Sequence, residues 1–353
     1  MAPVDLLRLA ISAPAVLSAE KSFRRNPVIG SERLNERGLH RRRVALAARM
    51  AQMRRARLAS RLDPAEREAF DRNGFVIRRN ALPSDLLEAV RHELATVPRA
   101  AWQLHQGPTI NRVMPLPARP DGSAAYALAR WTRSASVHDL LGYAAGRSGH
   151  LLTMFQTIAV DPDVGEADPQ ADLHADTFHP TAKFWLFLHD VGPDDGPFSY
   201  VPGSHRLTAE RLAWEHEQSV AATRQADRHH SAGSFRLPES ELAALGYGDV
   251  NVFPVEANTL VVADTFGFHR RTPSRRPTIR TSLYGIVRRN PFMPWNGLDL
   301  LDLPVVRDRT MRTHLALQDR RARAGKPVVY HSEGVILAQS PPTPPATPGE
   351  TAG

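Results

Sequence analysis

Residues 172–180 read DLHADTFHP, which sets the imidazole of His174 and the carboxylate of Asp176 two positions apart. On an extended strand, residues i and i+2 point to one face, so this pair aims two ligand atoms at a common point. A chain with 15 histidines makes such pairs by chance, and the reading needs a third group. His269, in NTLVVADTFGFHRRTPSRRPTIRTSLYG, closes an apolar strand-like run in which a buried imidazole needs a partner. Two histidines and one carboxylate make the facial triad used by non-haem Fe(II) oxygenases, with coordination positions left open; zinc more often takes a third His or a Cys. A 2-oxo acid fills two open positions with its keto oxygen and adjacent carboxylate. Its far carboxylate then needs a fixed cation. Arg280 lies eleven residues after His269, where the next strand returns alongside. A guanidinium grips a carboxylate with two parallel charge-assisted hydrogen bonds, which an ammonium cannot do. Arg280, Ser282 and Tyr284 share one face of that strand, which makes Ser282 a candidate helper.

The elements that must position these groups are strands. HLLTMFQTIAV, AKFWLFLHDV, FSYVPGS, NTLVVADTF and TIRTSLYGIV follow one another after about residue 150. They are rich in β-branched and aromatic residues and bounded by Gly, Pro and Asp. Two helical insertions are expected among them, near Ala209–Glu217 and Pro238–Leu245. Upstream, DPAEREAFDRNGFVIRRNALPSDLLEAV reads as a helix stopped at Gly74, a short strand from Phe75 to Arg78, and a second helix after Pro83. The pattern predicts a mainly β core, sandwich or barrel, with flanking helices.

The formal net charge of +8 is uneven. Residues 1–60 hold 13 Lys/Arg against 4 Asp/Glu, so the rest of the chain is close to neutral. A nucleic-acid-binding body is thereby disfavoured. With no cysteine, disulfides and thiolate metal sites are excluded. No run of about 18 apolar residues spans a bilayer. The first residues lack the basic start of a secretory signal, which points to a cytoplasmic location. Three segments are expected: a basic N-terminal arm and helix over 1–62, the main domain over 63–335, and a Pro-rich disordered tail over 336–353. The arm predicts a helix from about Arg41 to Leu62 with a narrow apolar stripe of Leu46, Met50 and Met53. Two readings stand for it. It is a solvated helix clamped to the body by that stripe, or an arm that touches anionic membrane or an acidic partner.

Taken together, the pieces resemble the phytanoyl-CoA dioxygenase family of Fe(II)/2-oxoglutarate-dependent oxygenases. HAD matches the family's His-x-Asp, DDGPFSYVPGSH its loop and strand, NTLVVADTFGFH its distal His, and Arg280 its spacing; FDRNGFVIRRNALPSDLLEAV is similar to its entry segment. The resemblance runs from about Phe70 to Arg289. The basic run RRTPSRRP and the arm depart from the family pattern. The resemblance implies a double-stranded β-helix (jelly-roll) core, with His174, Asp176 and His269 binding Fe(II) and Arg280 holding the distal carboxylate of 2-oxoglutarate. It also implies Gln156 in contact with cosubstrate or substrate, and O2 as oxidant. Related halogenases carry a small residue where Asp176 stands, so the carboxylate implies hydroxylation. The expected chemistry is conversion of 2-oxoglutarate to succinate and CO2, coupled to hydroxylation of a C–H bond in a small-molecule, sugar or lipid-linked substrate. Two alternatives stay open. A cupin-like Zn or Mn isomerase or hydrolase has no need for Arg280, and a non-catalytic 2-oxoglutarate-binding protein would bind without turnover.

Other residues are read more plainly. His179 is expected to be a loop histidine and His205, in PGSH, a structural turn histidine. Trp185 is expected in the core, with Lys183 on its face within reach of an acidic cosubstrate. His229 and His230 are expected to be solvated. RRNPFMPW, residues 288–295, either lines the mouth of the pocket or packs as an ordinary loop.

Overall fold

The computed structural model describes residues 11–163, 167–297, 299–307 and 309–341. The β-branched and aromatic runs form the strands β1 (Phe75–Arg78), β2 (Arg99–Gln106), β3 (Thr109–Pro115), β4 (Leu152–Val160), β5 (Ala182–Phe187) and β6 (Phe198–Tyr200). They continue in β7 (Asn251–Phe253), β8 (Thr259–Asp264), β9 (His269–Arg271), β10 (Thr278–Val287) and β11 (His331–Ile336). Eight of them pair in the order β1-β8-β5-β10-β4-β3-β2-β11, and three in the order β7-β6-β9. Every pairing is antiparallel.

Period-two alternation decides which side chain faces what. Phe155, Phe184, Leu186, Leu260, Val262 and Leu283 leave the large sheet on one side. There they pack against α3 (Ser84–Thr96), α4 (Ala124–Trp131) and α5 (Ala135–Ala144) through Val90, Leu94, Leu128, Leu140 and Leu141. Each Leu or Phe buried in this layer is worth about 1.5–3 kcal/mol of transfer free energy. The opposite face carries Gln156, Lys183, Trp185, Arg280 and Ser282. The small sheet covers part of that face, with Phe198, Tyr200 and Phe253 packed on Phe75, Ala263 and Trp185. The two sheets enclose the site between them, and the core is a double-stranded β-helix, or jelly roll, with flanking helices.

The helix expected before Gly74 is α2 (Pro64–Asn73), and Gly74 ends it in the left-handed region at φ 87°. The β2–β3 hairpin was not expected from the sequence; its turn is set by Gly107 at φ 60° ahead of Pro108. The first helical insertion is α6 (Ala209–Ala221), whereas the second is two short 3-10 turns, Glu239–Glu241 and Ala243–Leu245.

The arm differs from expectation. Its helix, α1, runs Leu39–Leu58, and its buried face is His40, Arg43, Val44, Ala47, Ala51, Arg54 and Leu58. Leu46 and Met53 of the expected clamping stripe are instead 40% and 41% exposed. Arginines hold the arm down because each finds backbone carbonyls in the body. Arg54, 1% exposed, donates to Gly146, Pro291 and Met293, and Arg55 to Tyr143 and Ala144. The loop 288–295 is thereby packed rather than free, with Phe292 against Phe178, although Trp295 stays exposed.

At the other end, the boundary expected at 335/336 falls inside β11, and Arg112 donates to the carbonyls of Ala338 and Ser340. Residues 342–353, most of the expected Pro-rich tail, lie outside the described residues. Among the described residues, no helix is long and apolar enough to cross a membrane.

Candidate metal centre

His174 and Asp176 do not lie on a regular strand. His174 is an isolated bridge in an irregular segment, paired on one side with Arg236 and on the other with His269. The His174 and His269 backbones exchange two N–H···O bonds of 3.0 Å, and Asp176 N–H donates to the Thr265 carbonyl at 2.9 Å. These bonds aim the side chains that sequence alternation had placed on one face. His269 opens β9, opposite Tyr200 of β6. The turn before it needs Gly267, because a Cβ there would lie 1.8 Å from the Tyr200 hydroxyl.

The three ligand atoms converge: one from each of His174, Asp176 and His269 lies within 4.8 Å of the others. His174 Nε2 is 3.9 Å from Asp176 Oδ1, and His269 Nε2 is 3.7 Å from Asp176 Oδ2. Each imidazole donates from Nδ1 to a backbone carbonyl, His174 to Asp172 at 2.7 Å and His269 to Gly267 at 2.9 Å. A carbonyl only accepts, so Nδ1 carries the proton and Nε2 is left with its lone pair. Both Nε2 atoms are buried without a hydrogen-bond partner. Buried polar atoms are seldom left so, and two bare imidazole nitrogens facing one carboxylate suit a divalent metal. His174, Asp176 and His269 therefore fit Fe(II).

The electrostatics agree. Burial pushes the His269 imidazole down to about 4 in spite of Asp176. Burial, with His269 and Arg236 beside it, holds His174 well below its usual range. Both rings are thus neutral and able to ligate. For Asp176 burial acts upward, but Lys183, His269 and His174 outweigh it and keep the group well below the usual carboxylate range. Lys183 Nζ lies 2.6 Å from Asp176 Oδ2, so Lys183 reaches the triad itself.

Beside the triad is a pocket of ≈ 90 Å³ that gathers the other expected residues, Gln156, Arg280 and Ser282. Ser282 pairs in register with Gln156 across β10 and β4. Gln156 Nε2 donates to Asn111 Oδ1 at 3.1 Å. Arg280 donates from Nη2 to the Gly196 carbonyl at 2.7 Å, while its buried Nη1 has no partner. Burial, then Arg271, pushes this guanidinium down to about 9. Trp185, expected in the core, lines the pocket and packs against Phe198 at a ring separation of 4.6 Å.

His179 stands outside the triad, donating from Nδ1 to the Pro180 carbonyl at 2.9 Å, and burial with Arg288 nearby pushes it to about 3. His205 is structural, packed edge-on against Phe70 at 5.3 Å. His230, expected to be solvated, is buried against Phe235 because Asp227 caps the turn that carries it. Sequence reasoning missed Lys21, whose ammonium donates to the Asp176 carbonyl from the arm. Nothing in its sequence neighbourhood marks it; only the folded path of the arm does.

Residues 70–237 match the family model described as phytanoyl-CoA dioxygenase. No curated protein sequence matches the chain. Among solved structures, the chain is similar to the non-heme alpha ketoglutarate dependent epimerase SnoN from nogalamycin biosynthesis, at 18% identity over 64% of this chain and 83% of that one, with a TM-score of 0.41. It is similar also to AviO1 from Streptomyces viridochromogenes Tue57, at 17% identity over 64% and 96% of the two chains, with a TM-score of 0.38. EctD from S. alaskensis, with 2-oxoglutarate and 5-hydroxyectoine, gives 15% identity over 64% and 76%, with a TM-score of 0.39. The family match takes in His174 and Asp176 and ends before His269 and Arg280, which geometry alone adds to them. Over that segment the chain is similar to the phytanoyl-CoA dioxygenase family, and the convergent His174, Asp176 and His269 fit Fe(II).

Proposed function

We propose that this protein hydroxylates an unactivated C–H bond of a small-molecule, sugar or lipid-linked substrate, consuming O2 and 2-oxoglutarate and releasing succinate and CO2. The observation that carries the reading is the convergence of three ligand atoms within 4.8 Å beside a pocket that also presents Arg280. When bound, Fe(II) supplies the reduced centre at which O2 and the 2-oxo acid react. His174, Asp176 and His269 hold it, two neutral donors and one anion, and the Nδ1–carbonyl bonds keep both rings turned toward it. Arg280 receives the distal carboxylate of 2-oxoglutarate on a guanidinium already oriented by Gly196 and still missing a partner for Nη1. Ser282 adds a hydroxyl on the same face, and Gln156, steadied by Asn111, offers a fixed amide to cosubstrate or substrate. Trp185, Phe187, Val191 and Phe198 give the pocket an apolar wall that limits water around the reacting groups.

The reading is tested by succinate formation in the presence of Fe(II), 2-oxoglutarate and O2. Activity indifferent to O2 and 2-oxoglutarate would instead favour a cupin-like Zn or Mn enzyme. Arg280→Lys is expected to retain iron while the KM for 2-oxoglutarate rises about tenfold, because a point charge replaces a fork. An unchanged KM removes the cosubstrate assignment.

A second reading concerns the arm. The outward face of α1 carries Arg41, Arg42, Arg49 and Arg57 together with the exposed Leu46 and Met53. Cations around a few exposed apolar groups suit peripheral contact with anionic membrane. Co-sedimentation of the full-length protein with anionic but not neutral vesicles is expected, and equal binding to both ends this reading.

A further inference from the structure

One carboxylate outside the triad ties three distant segments together. Asp168 Oδ2 accepts from Thr109 Oγ1 of β3 at 2.9 Å and from Arg271 Nη1 of β9 at 2.8 Å. Its Oδ1 accepts from the Gln170 N–H at 2.8 Å, and its backbone carbonyl from the Ala171 N–H at 2.9 Å. The β2–β3 turn closes on the same place, since a Cβ on Gly107 would lie 2.6 Å from the Ala167 carbonyl oxygen. Asp168 thus fixes residues 167–172, the run that leads into His174, against a hairpin and against the strand that His269 opens. A carboxylate suits the task because its two oxygens accept from three donors at once.

Gln170 is held at both sides of its backbone. Its N–H goes to Asp168, and its carbonyl accepts from the Arg271 N–H at 2.9 Å. Its side chain forms part of the wall of the ≈ 90 Å³ pocket beside the triad, together with Gln156, Arg271 and Arg280. The Gln170 amide has no hydrogen-bond partner among the described residues, and neither has Nη1 of Arg280. A second cavity, of ≈ 510 Å³, lies behind the run and is lined by Asp168, Pro169, Ala171 and again Arg271. Neighbouring residues of the run therefore face different spaces, Gln170 the pocket and Pro169 and Ala171 the cavity behind it. A neutral amide N–H fixed beside a guanidinium with a spare N–H suits a carboxylate that needs more than one donor.

We infer that Gln170 donates to a carboxylate of the 2-oxo acid alongside Arg280, and that Asp168 is the positioning residue that holds Gln170 there. The inference rests on the oxygenase reading and adds two residues to its cosubstrate site.

The full-length protein is loaded with Fe(II) under anoxia, its affinity for the metal is measured, and 2-oxoglutarate is then titrated in by calorimetry. Gln170→Leu is expected to bind 2-oxoglutarate about tenfold more weakly, the scale of a lost hydrogen bond to a charged group, with Fe(II) affinity unchanged. Asp168→Asn is expected to bind it about fivefold more weakly, again with Fe(II) affinity unchanged. Removing a negative charge would by itself draw a dianion in more tightly, so weaker binding reports the lost clamp and not the charge. In turnover both variants should raise the KM for 2-oxoglutarate and leave kcat at saturation as it was. Unchanged or tighter binding of 2-oxoglutarate in either variant overturns the inference. So does a loss of Fe(II) affinity in step with the cosubstrate, because the residue would then shape the triad itself. If the wild-type protein fails to bind 2-oxoglutarate, the oxygenase reading falls and takes this inference with it. If the wild-type protein binds it and both variants bind it equally well, only this inference falls.

Discussion

Lys183 holds an atom that a metal would also need, Asp176 Oδ2 at 2.6 Å. An ammonium and a divalent ion compete for one carboxylate, so Lys183→Met is expected to tighten Fe(II) binding threefold to tenfold, about 1 kcal/mol for a half-buried pair. Titration of the anoxic protein with Fe(II) measures it, and weaker binding would mean that Lys183 positions Asp176 instead. His174→Ala should lose metal and turnover together, since only two donors remain. At this scale much was legible. A His-x-Asp pair, a distal His and an Arg eleven residues on are chemically specific when taken as a set. Lys21 was not legible, because an isolated Lys looks like solvated surface until a fold turns it inward.

Among the elements, α1 matters most to the centre. Arg55 Nη2 lies 2.8 Å from Asp264 Oδ2, whose side chain is fully buried. Asp264 Oδ1 accepts from Thr181 and Phe266 N–H, and so shapes the turn that leads to His269. Burial raises the Asp264 carboxyl although Arg55 opposes it. Arg55→Met leaves a buried carboxylate unpaired and should cost about 3 kcal/mol in urea unfolding. Asp264→Asn in the same chain should recover part of that loss, and no recovery would show that packing of Arg55, not its charge, is what counts. A second latch joins α1 to α6. Glu215 is bonded to His40 Nε2 at 2.9 Å and accepts from Arg211 Nη2 at 2.9 Å, all three buried. The strands after residue 150 were legible from composition. The docking face of α1 was not, because its buried face includes arginines, which a helical wheel assigns to solvent.

For the molecule as a whole, several histidines are buried neutral. His269 is pushed to about 4 and His179 to about 3, with His174 and His205 held well below the usual range, burial being the first cause in each. Their folded values lie below the unfolded value of about 6.5, so the unfolded chain binds more protons between the two. The stability they contribute is therefore fully present above about pH 6.5 and is lost as pH falls toward 4 and below. His269 alone accounts for about 3 kcal/mol by pH 4. Thermal melting of the metal-free protein should show Tm climbing steadily from pH 4 to 7, and a flat profile there would contradict the buried, neutral state of these rings.

The sequence by itself determined the strand-rich core and which residues could ligate a metal, and it offered Arg280 as a candidate cation for a carboxylate, because residue type and period-two spacing are local properties. It also placed Arg280, Ser282 and Tyr284 on one face, since alternation along a strand needs no knowledge of partners. Only the tertiary structure decided that His174 meets His269 through a pair of backbone bonds, that the arm folds back to bring Lys21 to Asp176, and that α1 buries arginines. Those are contacts between segments far apart in the chain, set by which carbonyls and carboxylates the fold leaves unpaired, and no local pattern records them.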